Sequence, residues 1–78
     1  MISALCVDDD ALSLDLAKEF LEDPDELQVD TATSAKEALR MMSEKRYDAI
    51  ISDYGMPAID GLAFLRLARQ KSPDIPFI

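Results

Sequence analysis

The sequence predicts an α/β protein with a doubly wound, parallel sheet. Short apolar runs rich in isoleucine and valine alternate along its 78 residues with longer segments in which apolar residues recur three or four positions apart. The short runs are typical of strands covered on both faces, and the longer segments are typical of amphipathic helices. Their alternation predicts the order β-α-β-α-β-α-β, with right-handed crossovers between parallel strands. We expect a single, incomplete domain over 1–78, truncated after the start of its fourth strand.

The first helix and its flanking strands have clear boundaries. Residues 1–7 predict a strand that stops at three consecutive aspartates, and residues 11–22 predict a helix. Asp10 can cap this helix, because its carboxylate can accept a hydrogen bond from an N–H of the first turn. Pro24 disfavours further helix, and a second strand is predicted over 27–32. The apolar residues of the helix fall on adjoining faces: Leu12, Leu16 and Phe20, with Leu14, Ala17 and Leu21 beside them.

The second half of the chain repeats the alternation. Ser34 and Glu37 form a capping-box pair at the start of a helix predicted over 35–45, in which each side chain satisfies the other residue's N–H. This helix directs Ala38, Leu39 and Met42 inward. The remaining predicted elements are a buried, central strand over 48–52, a helix from about 62 to 71 with Asp60 as its cap, and a fourth strand that starts at 75–78.

Composition and charge exclude several classes of function. Sixteen acidic and eight basic residues give a formal charge of -8, and the cations are scattered, so we expect no direct contact with nucleic acid. No run approaches the length of about 18 apolar residues that a membrane helix needs. The single cysteine, Cys6, lies in an apolar run and is expected to be a buried thiol. These features together favour a reducing cytoplasm.

Three carboxylates stand directly after predicted strands. Asp8 and Asp9 follow the first strand and Asp53 follows the third. In an open parallel sheet the working crevice lies at the carboxyl ends of the strands, and adjacent strands are about 4.8 Å apart, so we expect these side chains to converge. Two carboxylates 4 Å apart repel by about 4 kcal/mol at an effective dielectric of 20, which favours a bound cation. Hard oxygen ligands of this kind suit Mg²⁺.

Four short motifs, in this order and spacing, resemble the signature of the phosphoacceptor receiver domains of two-component response regulators. They are Val7-Asp8-Asp9 after the first strand, Ile50-Ile51-Ser52-Asp53 at the end of the third, Gly55-Met56-Pro57, and Asp60-Gly61. The resemblance covers the whole chain but only about three and a half of the five βα units of the family. It implies a flavodoxin-like topology.

The resemblance also implies a function and a site. A sensor histidine kinase or a phosphotransfer protein would donate a phosphoryl group to Asp53, with Mg²⁺ held by Asp8, Asp9, Asp53 and the backbone carbonyl of Gly55. Such a chain is an acceptor that assists its own phosphorylation, and it is not a turnover enzyme. The switch Ser/Thr and the Lys of the family would both lie beyond Ile78.

Two alternative functions remain at this point. Asp8-Asp9-Asp10 also contains the Asp-x-Asp pattern of haloacid-dehalogenase-like phosphatases, although Leu12 stands where that family has Thr or Val. The second alternative is a receiver-like module that is never phosphorylated and acts only through its surfaces.

The predicted truncation has a consequence for assembly. Strands that are expected to be covered on both faces would be left partly exposed, and the fourth strand would lack a neighbouring strand on one edge. We therefore expect the 78-residue chain either to self-associate, with exchange of elements as one route, or to be the ordered part of a longer protein.

Overall fold

A computed structural model describes residues 1–52 and 61–76, without the side chains of residues 61 and 62. Helices and strands alternate in it, as the sequence predicts. The elements are β1 (Ile2–Val7), α1 (Ala11–Leu21), β2 (Leu27–Ala32), α2 (Ala35–Glu44), β3 (Ala49–Ser52) and α3 (Gly61–Lys71).

The three strands form one parallel sheet in the order β2-β1-β3. β1 pairs with β2 along its whole length, from Ile2 opposite Leu27 onward, and with β3 over four residues. Because β1 lies between the other two strands, both of its edges are hydrogen-bonded. The first and third strands are therefore neighbours, which is the arrangement that the predicted site requires.

β3 begins one residue later than predicted, and the cause is local. Asp48 donates its backbone N–H to the Ser3 carbonyl at 2.7 Å. Its carboxylate also accepts a hydrogen bond from the Ser3 N–H at 2.8 Å. A side-chain oxygen thus replaces the main-chain acceptor that a longer strand would supply, and the regular ladder starts at Ala49.

The predicted fourth strand is described only at its beginning. Ile75 is buried, and the Ile50 N–H donates to the Pro76 carbonyl at 2.9 Å. This hydrogen bond joins β3 to residue 76, but residues 75 and 76 do not form a regular strand. Residues 77 and 78 lie outside the described part of the chain, so the strand itself stays a prediction.

Helices cover both faces of the sheet, and this confirms the doubly wound arrangement. The larger apolar cluster lies on the side of α2 and α3; its buried members are Leu5, Val7, Ala32, Ala35, Ala38, Tyr47, Ile50, Phe64, Ala68 and Ile75. The smaller cluster lies under α1 and has Cys6, Leu14 and Val29 as its buried members. Burial raises the pKa of the Cys6 thiol, as expected for an inert core cysteine.

The cap of α1 is confirmed, and the predicted capping box of α2 is half right. Asp10 accepts a hydrogen bond from the Leu12 N–H at 3.0 Å, and Ser34 accepts one from the Glu37 N–H at 3.1 Å. The Glu37 carboxylate, however, does not return to Ser34. It accepts a hydrogen bond from the Thr33 hydroxyl at 3.1 Å, because this side chain offers a competing donor one residue earlier.

Most of the apolar surface of α1 faces away from the core. Leu14 is 4% exposed, whereas Leu12, Leu16 and Phe20 are 66%, 47% and 82% exposed. The apolar residues span a wider arc than the stripe that one helix can bury against a sheet. Leu39 and Met42 of α2, by contrast, pack against the larger cluster as predicted.

Candidate functional site

The candidate site begins at the edge of the sheet where β1 and β3 end together. Val7 lies opposite Ser52, and each is the last residue of its strand. The Asp8 N–H donates to the Ala32 carbonyl at 3.1 Å, which continues the hydrogen bonding between β1 and β2 one residue beyond β1. The backbone of Asp8 is therefore held by the sheet, although Asp8 follows the strand.

Asp8 and Asp10, the first and last of the three consecutive aspartates, have different hydrogen bonds and different roles. One carboxylate oxygen of Asp8 accepts a hydrogen bond from the Asp10 N–H at 2.9 Å, and this contact turns the chain out of the sheet toward α1. Both carboxylate oxygens of Asp10 are engaged at the start of α1, with the Leu12 N–H and the Ser13 hydroxyl, each at 3.0 Å. Asp10 is thus a helix cap, which argues against the phosphatase alternative with its Asp8-x-Asp10 motif.

Asp8 is well suited to a cation. Its side chain is partly buried, and Asp9 beside it is exposed. Within residues 1–52 and 61–76, none of the three ion pairs involves Asp8. Two adjacent carboxylates, one of them oriented by a backbone N–H, supply the hard oxygen donors that Mg²⁺ prefers. The described donors therefore fit a magnesium ion.

Two of the predicted ligands belong to the segment between β3 and α3. Asp53, the predicted phosphoacceptor, and Gly55, whose carbonyl is the fourth predicted ligand, lie outside the described residues. In the part of the chain that the structure describes, no three side chains of the His, Cys, Asp and Glu types form a metal-binding group. The convergence of Asp8, Asp9 and Asp53 stays a prediction.

A polar cluster that the sequence did not predict lies between β2 and the segment that joins α2 to β3. The Tyr47 hydroxyl donates to the Asp30 carboxylate at 2.7 Å, and the Lys45 ammonium donates to the same oxygen at 3.1 Å. The Lys45 nitrogen also lies 5.4 Å from the centroid of the Tyr47 ring. The cluster joins β2 to the segment between α2 and β3, so its role is structural. An aspartate inside a predicted strand was the only sequence signal for it.

Opposing effects set the acidity of this cluster. Burial acts to raise the pKa of Asp30, but the hydrogen bonds from Tyr47 and Lys45 outweigh it and lower that pKa. Burial and the neighbouring Asp30 carboxylate raise the pKa of the Tyr47 hydroxyl. Asp30 is therefore ionised and Tyr47 is neutral at neutral pH.

A membrane span is not found. Across the described residues, every helix is too short or too polar to cross a bilayer.

The chain matches one family model over almost its whole length. Residues 4–78 match the response regulator receiver domain. Among curated proteins, it is 38% identical over 79 residues to a protein-glutamate methylesterase/protein-glutamine glutaminase of Methanococcoides burtonii. That match covers 100% of this chain and 22% of the relative, so the chain spans about a fifth of the relative's length.

Solved structures agree with the family match. A response regulator receiver domain protein of Clostridium thermocellum superposes with a TM-score of 0.90 at 32% identity, covering 99% of this chain and 62% of that one. The response regulator TrrA of Thermotoga maritima, solved with Mg²⁺ and BeF, gives a TM-score of 0.88 at 35% identity and covers 99% and 66%. TrrA has also been solved in complex with the histidine kinase ThkA.

The family match and these superpositions agree with the parallel β2-β1-β3 sheet. Receiver domains are in general signalling modules and not enzymes, and the match to the methylesterase covers only 22% of that protein. The chain belongs to the receiver domain family of two-component response regulators.

Proposed function

We propose that this chain accepts a phosphoryl group on Asp53 from a sensor histidine kinase or a phosphotransfer protein, in a reaction that depends on Mg²⁺. The observation that carries the proposal is the register of β1 and β3, with Val7 opposite Ser52. Asp8 and Asp53 are the next residues along the chain after these two strand ends. Parallel strands that end side by side direct the residues that follow them toward one edge.

In the proposed site, Asp8, Asp9, Asp53 and the carbonyl of Gly55 hold the metal. The bound ion would neutralise charge on the transferring phosphoryl group. The chain's own contribution is orientation: the Asp8 backbone is tied to Ala32, and its carboxylate is tied to the Asp10 N–H. A carboxylate held in place before the metal binds, as that of Asp8 is, loses little conformational freedom on binding.

The proposed transfer is a simple substitution at phosphorus. A carboxylate oxygen of Asp53 forms a bond to the phosphorus, and the bond between phosphorus and the donor's imidazole nitrogen breaks. The electron pair of that bond stays on the imidazole, and Asp53 becomes an acyl phosphate. No oxidant, reductant or further substrate is needed for this step.

The proposed partner follows from the comparison with TrrA. That response regulator was crystallised with a histidine kinase, and this chain superposes on it over 99% of its own length with a TM-score of 0.87. The chain spans 66% of TrrA, so we propose that residues 1–78 form part of one receiver domain. Its kinase contact is proposed by analogy with that complex.

The test is phosphorylation of the full-length protein by a small phosphodonor such as acetyl phosphate in the presence of Mg²⁺. Intact mass spectrometry should show one added phosphoryl group, lost after base treatment and absent when Mg²⁺ is chelated. Asp53→Asn should abolish the gain in mass. Asp15→Asn is a matched control, because it removes one charge at an exposed position of α1. Equal labelling of the Asp53→Asn protein and the parent would refute the assignment.

A further inference from the structure

The outer edge of β2 is closed by groups from its own chain. β2 is the last strand on its side of the described sheet, so its alternate residues direct N–H and C=O groups away from β1. Leu27 is one of them: its N–H donates to the Asp23 carbonyl at 2.9 Å, and its carbonyl accepts from the Asp23 N–H at 2.8 Å. The main chain after α1 therefore covers this first outward position.

Side chains cover the next outward position. Glu22 accepts a hydrogen bond from the Val29 N–H at 3.0 Å, and Lys18 donates its ammonium to the Val29 carbonyl at 2.9 Å. The two side chains lie 3.5 Å apart, so they bind each other as well as the strand. Both backbone groups that a neighbouring strand would need at Val29 are occupied. The hydrogen bond from Val29 also lowers the pKa of Glu22, so its carboxylate stays charged at neutral pH.

A second pair on the same chain shows that this arrangement is not a property of Lys/Arg–Glu pairs in general. Arg40 and Glu44 of α2 have the same i, i+4 spacing and lie 3.2 Å apart. Their side chains are 60% and 65% exposed, against 47% and 32% for Lys18 and Glu22. Arg40 and Glu44 bind each other, and within residues 1–52 and 61–76 neither side chain hydrogen-bonds a strand.

We propose that Lys18 and Glu22 prevent the β2 edge from pairing with a strand from a second copy of this chain. Open strand edges are templates for such pairing, and Val29 lies at the middle of the outward series Leu27, Val29 and Thr31. When Lys18 and Glu22 occupy the backbone groups of Val29, Thr31 is the one outward residue of β2 whose backbone groups are not covered by Asp23, Lys18 or Glu22. One residue offers too few groups for a stable intermolecular ladder. The inference is independent of phosphorylation at Asp53.

The test compares two double variants of the full chain by sedimentation velocity over a range of concentrations. Lys18→Ala with Glu22→Ala opens the Val29 groups, whereas Arg40→Ala with Glu44→Ala removes a matched pair elsewhere. Each double variant keeps the net charge and replaces one cationic and one anionic side chain with alanine. The first should lower the dissociation constant for self-association at least about tenfold, because the N–H and C=O of Val29 become available for pairing beside those of Thr31. The second should behave as the parent.

A third substitution tests whether the two copies pair through the β2 edge. Thr31→Pro, added to the Lys18→Ala/Glu22→Ala protein, removes an outward N–H while leaving the ladder to β1 intact, and it should restore the parent's dissociation constant. Unchanged self-association in the double variant would overturn the proposal, and so would tighter association that Thr31→Pro leaves in place. If the double variant loses its cooperative melt, Glu22→Ala alone opens the Val29 N–H and should shift the dissociation constant in the same direction. No shift in that single variant would also overturn the proposal.

Discussion

The two faces of the sheet are covered very differently in the described part of the chain. On the α2 and α3 face, Phe64, Ile50 and Leu5 are completely buried, and two helices pack over them. On the α1 face one helix covers a smaller cluster, and Phe20 is left 82% exposed. Apolar side chains on the two faces therefore contribute unequally to stability, because the contribution depends on the area removed from water and not on hydrophobicity alone.

The largest expected effect tests this contrast directly. Phe64→Ala should lower the free energy of unfolding by about 3–5 kcal/mol, because it leaves a cavity under α3. Phe20→Ala, the same substitution at an exposed position of α1, should change it by about 0.5 kcal/mol or less. Chemical denaturation followed by circular dichroism measures both values. Equal losses would mean that Phe20 is covered in solution and that the two faces are alike.

A smaller effect is expected from the polar cluster on the α2 and α3 face. Tyr47→Phe should lower the free energy of unfolding by about 1–2 kcal/mol, because the hydroxyl donates to a charged acceptor. It should also raise the pKa of Asp30, which loses one of the hydrogen bonds that lower it. Nuclear magnetic resonance titration of the Asp30 carboxyl checks the second effect. An unchanged titration would show that the Tyr47 hydroxyl does not lower the pKa of Asp30.

The smallest effect is expected at Glu22, on the α1 side. Its pKa is lowered chiefly by the hydrogen bond from Val29, so its contribution to stability is complete above the pKa of the unfolded chain, near 4.5. That contribution is lost as the pH falls from there through the lowered pKa of the folded state. Glu22→Ala should therefore be less stable than the parent at pH 7, and the difference should shrink below pH 4.5.

Thermal melts at several pH values measure this difference, with Glu44→Ala as the control. Glu44 pairs with Arg40 at the surface and binds none of the strands β1 to β3, so its substitution should have a smaller effect at pH 7. A pH-independent difference for Glu22→Ala would show that the carboxylate does not stabilise the edge of β2 through its charge.

Local rules were sufficient for much of the fold. β2 has the predicted bounds, α1 begins after the predicted cap Asp10, and Ser34 caps α2 as its spacing from Glu37 indicates. Each of these features depends on residues within about one helical turn, where propensity and capping act. The predicted position of Asp8 and Asp9 at the carboxyl end of β1 is also local, since it follows from where the strand stops.

Errors arose where a side chain could choose between partners. The Glu37 carboxylate binds Thr33 and not Ser34, and spacing alone does not decide between two donors so close together. Lys18 and Glu22 look like an ordinary helical pair in the sequence, yet both also bind Val29, on a different element. The sequence carries no signal for that contact, because it depends on how α1 lies against the edge of β2.

The sequence by itself determined the order of helices and strands, their caps and the acidic residues that follow the strands, because these depend on periodicity and on neighbours along the chain. Only the tertiary structure decided that Leu14 is buried while Leu12 is exposed and that Asp30 is paired with Tyr47. Those outcomes depend on which surfaces remain uncovered once distant segments pack together, and burial is a property of the whole assembly of elements.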